Sequence, residues 1–160
     1  MSPTHAAINV VWRYRFWVFG WLFGLVEFLV IDYQWLRPGS DELSAPDVRF
    51  PTGTNRRYPS ETVEVTRDRV IDNETGLICA GQTEMLGEPV ERDFEHVQHG
   101  FLVSYRRCRG ALRRTGGQDL DGDHISDPYW VSARKLKSLI SPKHRRWFDR
   151  ACQELGVRFD

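Results

Sequence analysis

Between Phe16 and Leu36 the chain reads FWVFGWLFGLVEFLVIDYQWL, and no other stretch restricts its fold as much. From Phe16 to Ile31 only Glu27 is ionisable. A surface helix would show a polar stripe, and this run shows none. Extended to Leu36 it reaches the length of about 20 residues that a helix needs to cross a bilayer. Trp12, Tyr14, Phe16 and Trp17 at one end, and Tyr33 and Trp35 at the other, match an interfacial aromatic belt. Arg13, Arg15 and Arg37 bracket the run, and Pro38-Gly39 would end a helix. A secretory signal peptide is a poorer match, because no small-residue cleavage site follows the apolar run. The expectation is one transmembrane helix over residues 16–37.

Glu27 is costly in lipid, so it is expected to contact a polar group on another membrane helix. Gly20 and Gly24 have the GxxxG spacing that lets two helix backbones approach. Gly20, Gly24 and Glu27 together form the expected in-membrane contact. The segment from Gly24 to Val30 resembles the start of a type IV pilin stem, although Asp32 interrupts the apolar run soon after.

The chain has 22 basic and 22 acidic residues, unevenly placed. Residues 38–100 carry six basic and 13 acidic groups, and residues 101–160 carry 13 and seven. These two parts should attract each other. Residues 1–15 read as a tail and 38–60 as a Pro-rich linker, with Pro38, Pro46, Pro51 and Pro59. Residues 61–160 read as a single extramembrane α+β domain.

Within that domain, alternation from Glu61 to Val70 predicts a half-buried strand. Asp72 to Gly76 predicts a turn, and the segment from Leu77 a returning strand. The string from Val70 to Leu77 resembles a turn found in some bacterial surface β-domains. Glu91–Val97 and Phe101–Cys108 predict a second hairpin about Gln98-His99-Gly100. If the hairpins are neighbours, Cys79 and Cys108 could form a disulfide, which suits an oxidising compartment. Residues 132–140 predict a short helix. A second follows Ser141-Pro142, with Trp147, Phe148, Ala151, Cys152 and Leu155 on one face and Gly156 after it.

The best chemical motif is Asp119-Leu120-Asp121-Gly122-Asp123-His124-Ile125-Ser126-Asp127. It resembles the DxDGDxxxD calcium loops of EF-hand-like proteins and thrombospondin type 3 repeats. The resemblance implies a structural Ca2+ held by Asp119, Asp121 and Asp123, the carbonyl of Ile125, and Asp127. His124 stands where such loops carry Gly and Trp130 where an EF-hand carries Glu, so only the loop is implied. His96 and His99, with His124 or Cys108, make a poorer zinc set, because residues three apart on a strand face opposite ways. The arginines from Arg106 to Arg114 lack the aromatic interleaving of a nucleic-acid surface, so no nucleic acid is expected as partner. No G-x-S-x-G, H-E-x-x-H or phosphate-binding glycine loop is present.

The sequence therefore predicts an α+β fold: a single N-terminal transmembrane helix, then a small antiparallel-sheet domain with C-terminal helices. The expected function is that of a non-enzymatic, single-pass accessory or assembly subunit of a cell-envelope complex. It would meet other membrane proteins through its helix and a protein partner through a periplasmic domain. The alternative is a membrane-tethered periplasmic binding or immunity protein that neutralises a protein partner.

Overall fold

A computed structural model describes residues 4–15, 25–79, 83–92, 96–118 and 122–159. Its centre is an antiparallel pair, β1 (Thr4–Arg15) and β2 (Leu25–Gln34), with Trp12 opposite Phe28 and Arg13 opposite Glu27. On its other side β1 runs parallel to β7 (His96–Ser104), from Thr4 beside His96 to Trp12 beside Ser104. Short strands extend this frame. β3 (Asp47–Arg49) and β10 (Tyr129–Ser132) pair with β2, and β4 (Thr52–Thr54) pairs with β1. β5 (Glu84–Met85) and β6 (Val90–Arg92) pair with β7. β8 (Gly117–Gln118) and β9 (His124–Ile125) form a hairpin that β9 joins to β2.

Helices cover both faces of this mixed sheet. Ala6, Ile8 and Val10 of β1, with Val26, Phe28 and Val30 of β2, pack on the side of α2 (Ala133–Leu139) and α3 (Arg145–Glu154). The intervening Ala7, Val11 and Leu29 pack with Ile71 of α1 (Val63–Thr75), together with Phe101 and Val103 of β7.

The expected transmembrane helix is therefore corrected. Residues 25–34 are a central strand, and residues 16–24, with Gly20 and Gly24, lie outside the described residues. Among the described residues, no helix is long and apolar enough to cross a membrane. The physical reason is two-sided burial. A strand covered on both faces needs apolar residues at every position, so it loses its period-two signature and reads as one continuous apolar run. Phe28, Leu29, Val30 and Ile31 are consecutive and all fully buried. Glu27 is also buried, but its partners lie within this chain. Arg13 Nη2 is 2.9 Å and Arg15 Nη1 3.5 Å from its carboxylate, and the Arg13 guanidinium lies 4.1 Å from the centre of the Trp130 ring.

The expected linker is part of the folded body. Val48 and Phe50 are buried in the core, and the N–H of Asn9 in β1 donates to Pro51 O at 2.9 Å. Pro46 sits just before β3 and Pro51 between β3 and β4, at strand ends where a missing N–H breaks no ladder, and Pro38 and Pro59 lie in turns. The strand expected over 61–70 is the first part of α1. Val63 and Val65 imitate strand alternation, but Thr66, Arg67, Val70 and Ile71 are buried at helical spacing. Thr62 caps the helix by accepting from the Val65 N–H, and Gly76, at φ 79°, ends it in the left-handed region. Asp72 to Thr75, expected as a turn, is its last turn.

The expected turn at Gln98-His99-Gly100 is the middle of β7. Gly100 is there for proximity, not for bending. A Cβ at this position would lie 2.1 Å from Trp147 Cε3 on α3. Trp147, Phe148, Ala151 and Cys152 form the buried stripe of α3. Burial pushes the Cys152 thiol up to about 12, with Asp149 adding to the shift, so it stays protonated near neutrality. Cys79 and Cys108 are joined by a disulfide across 29 residues.

Gly100→Ala is expected to destabilise the fold by about 1–3 kcal/mol, because the Trp147 ring has to move out of a packed layer. Urea denaturation checks this. A midpoint equal to that of the unaltered protein would show that α3 is not seated on β7 in this way.

Candidate functional site

The pairing of β4 with β1 aligns Thr52, Gly53 and Thr54 beside Ile8, Ala7 and Ala6. α1 crosses directly over this strand. A Cβ on Gly53 would lie 2.5 Å from Val70 Cγ2, so only glycine admits the helix this close. Between β4 and α1 opens a cleft of about 770 Å3, within the range of small-molecule sites. Thr52, Gly53 and Thr54 line one side, and Arg69, Val70, Asn73 and Glu74 of α1 line another. Arg56, Arg57 and Tyr58 come from the connecting loop, and Tyr33, Gln118 and Ile125 close the rim from β2, β8 and β9.

The loop is fastened at both ends. Asn55 is buried. Its backbone N–H donates to His5 O at 3.1 Å, while its Oδ1 accepts from the His5 N–H at 2.9 Å. At the other end Arg69 donates from Nε to Glu61 Oε1 and from Nη2 to Glu61 Oε2, both at 2.9 Å. The same Nη2 donates to Thr54 O at 3.0 Å, and the Arg69 guanidinium lies 4.7 Å from the centre of the Tyr58 ring. Thr66 Oγ1 also donates to Glu61. One guanidinium thus ties α1, β4 and the loop together, and the forked geometry makes this pairing directional. The hydrogen bonds from Arg69 hold the Glu61 carboxyl below its ordinary pKa; partial burial opposes the shift and Thr66 adds to it.

Glu74 Oε2 accepts from the Thr52 N–H at 3.0 Å, so this carboxylate also braces β4. Among the described residues it is the one carboxylate bordering the cleft, against the three guanidinium groups of Arg56, Arg57 and Arg69. The arrangement is suited to an anion, with the tyrosines Tyr33 and Tyr58 offering flat apolar surface beside the positive charge.

The residues expected from the sequence fall partly here and partly elsewhere. Asp119 and Asp121 lie outside the described residues. Ile125 pairs in register with both Tyr33 and Gly117, and its side chain borders the cleft. Asp127 accepts from the Gly116 N–H at 2.8 Å, and Asp123 precedes β9. Among the described residues no group of three or more His, Cys, Asp or Glu side chains is placed to hold a metal ion. Of the histidines considered for zinc, His99 shares a 3.0 Å hydrogen bond with His5, while Cys108 is bonded to Cys79.

Arg56, Arg57, Arg69, Glu61, Glu74, Tyr33 and Tyr58 did not stand out in the sequence. They fall in stretches that read as a membrane end, a linker, a strand and a turn. A helical reading from Thr62 to Gly76 would have exposed Glu61 and Arg69 as a pair linking its approach to its second turn.

No protein-family model matches the chain, and no curated protein matches it in sequence. Solved structures do match it. A MutT structure from work on Aliivibrio salmonicida and Vibrio cholerae is 15% identical with a TM-score of 0.60, covering 95% of this chain and 99% of that one. The NUDIX domain of Shewanella oneidensis NrtR, solved with ADP ribose, is 17% identical with a TM-score of 0.59, covering 97% and 90%. A protein described as a NUDIX hydrolase from Listeria monocytogenes is 14% identical with a TM-score of 0.59, covering 98% and 95%. The likeness establishes that the chain has the Nudix fold.

This overturns the expectation of a non-enzymatic membrane subunit, and with it the tethered periplasmic immunity protein. The fold is one that proteins described as hydrolases use. The single-pass topology, the membrane partners and the membrane localisation all rested on a helix whose second half is β2. Nudix hydrolases use divalent metal ions, typically Mg2+ or Mn2+, so a divalent ion is compatible with this fold in general. The described residues of this cleft do not form a resident site for one. Val70 has no ligating atom, Asn73 is neutral, Glu74 already accepts from Thr52, and three guanidinium groups repel a cation.

The Arg69–Glu61 pair sets a pH dependence. Because folding lowers the Glu61 pKa, its stabilisation is present above the ordinary glutamate value of 4.5 and is lost as pH falls through the lower folded value. Thermal melting followed from pH 6 down to pH 3 is expected to fall less steeply in Arg69→Met than in the unaltered protein. Parallel curves would remove Arg69 as the brace.

Proposed function

We propose that the cleft between β4 and α1 binds a nucleoside-diphosphate-type ligand. The observation that carries this is one open cleft of about 770 Å3 lined by Arg56 and Arg57 together with Tyr33 and Tyr58. Guanidinium groups recognise phosphate oxygens through paired donors, and aromatic rings take up the flat face of a base. The Nudix domain of NrtR was solved with ADP ribose, a ligand of this class. Hydrolysis, the activity named for the Listeria neighbour, would draw here on Glu74, the one described carboxylate at the cleft able to take a proton from water. Calcium at the 119–127 loop is a separate proposal that rests on the aspartate spacing; the hairpin carrying that loop supplies Gln118 and Ile125 to the cleft rim.

Isothermal titration with ADP-ribose, ADP and pyrophosphate tests the reading. Saturable 1:1 binding is expected for ADP-ribose. Tyr58→Ala should weaken ADP-ribose by about tenfold, the effect of losing one base–aromatic stack, and leave pyrophosphate unaffected. Chromatography of the same mixtures reports cleavage, and any turnover should be lost in Glu74→Gln. No binding of any of the three compounds would overturn the proposal.

A further inference from the structure

α1 presents Arg69, Val70, Asn73 and Glu74 to the cleft at the spacing of one helix face. These are the positions from which a helix could offer a metal several carboxylates at once. Here they offer one. Val70 is packed over Gly53 and has no lone pair to donate. Asn73 can give an amide oxygen but no charge. Glu74 Oε2 is engaged by the Thr52 N–H. The opposite side of the cleft carries Arg56 and Arg57, both exposed, on the loop that Asn55 and the Arg69–Glu61 pair hold in place.

We infer that this cleft neutralises the diphosphate of its ligand with the guanidinium groups of Arg56 and Arg57 and not with a divalent metal ion. The inference rests on the reading that the cleft binds such a ligand. Two guanidinium groups carry the same charge as one divalent ion. Each also presents paired N–H donors in a plane that matches two phosphate oxygens, whereas an ion must first find oxygen ligands in the protein. Among the described residues the cleft supplies the first set and lacks the second. Arg69 contributes indirectly: its guanidinium is committed to Glu61 and Thr54 O, so it fixes the loop instead of meeting the ligand. A loop already held in its bound shape loses little further entropy when the ligand arrives, which favours binding by side chains alone.

The test is isothermal titration of the full chain with ADP-ribose, once in excess EDTA and once in excess Mg2+. The expected result is an affinity equal within about threefold in the two buffers. In the Arg56→Gln, Arg57→Gln double variant it should be weaker by about tenfold or more in both buffers, as loss of charge-assisted hydrogen bonds implies. The variant's own thermal melt is recorded alongside and the titrations are run well below its transition, so that a loss of affinity reports binding and not folding. Binding that disappears in EDTA, or a double variant that binds like the unaltered protein, overturns the inference while leaving the binding site in place. Binding absent in both buffers overturns the site itself.

Discussion

Burial of both faces of β1 and β2 is the constraint on which the other elements depend. Neither strand can meet water on either side. Ala7 and Val11 need a cover on one face, and Ile8, Val10, Phe28 and Val30 need one on the other. Each fully buried side chain of valine size or larger contributes about 1.5–3 kcal/mol relative to exposure. Uncovering Ile8, Val10, Phe28 and Val30 would therefore forfeit about 6–12 kcal/mol, comparable to the whole net stability of an ordinary domain. α1 supplies the first cover and α2 with α3 the second. β7 completes the frame by pairing with β1 in parallel, which requires a long return path through the intervening elements.

The candidate site follows from that frame. β4 can lie where it does because β1 leaves its Ala6–Ile8 edge open beyond the end of its pairing with β2. α1 can cross so closely because Gly53 lacks a side chain. The cleft is the space left where the connection between β4 and α1 swings outward. Asn55 and the Arg69–Glu61 pair keep that connection from collapsing inward. A loop supported in this way can carry exposed arginines without losing their positions, which is what recognition of a fixed array of phosphate oxygens requires.

Local chemistry was legible in several places. Trp147, Phe148, Ala151 and Cys152 stand at helical spacing in the sequence and form the buried stripe of α3. Ser132 opens α2 as an N-cap. The same local rules misled where one pattern serves two structures. Val63 and Val65 satisfy period two as readily as they populate a helix whose buried side is set by Thr66, Arg67, Val70 and Ile71. The glycine at position 100 signals a turn by type, yet its role is set by a tryptophan 47 positions away. The arginines of the cleft were invisible because no local pattern distinguishes an arginine that meets a ligand from one on a solvated surface. That distinction arises only when Thr52 to Tyr58 is folded against α1 and the rim formed by Tyr33, Gln118 and Ile125.

The sequence by itself determined that residues 26–31 leave water and that residues 145–155 carry one apolar face. These follow from side-chain type and spacing, which act over a few residues. Only the tertiary structure decided that residues 26–31 are covered by this chain's own helices instead of lipid, that Glu27 pairs with Arg13 in the same sheet, and that Arg56, Arg57 and Arg69 border one cleft. The physical reason is that transfer out of water depends on area and not on what the area meets. A hydrocarbon bilayer and a packed protein interior therefore demand the same residues, and only the long-range pairing of β1 with β2 and β7 distinguishes them.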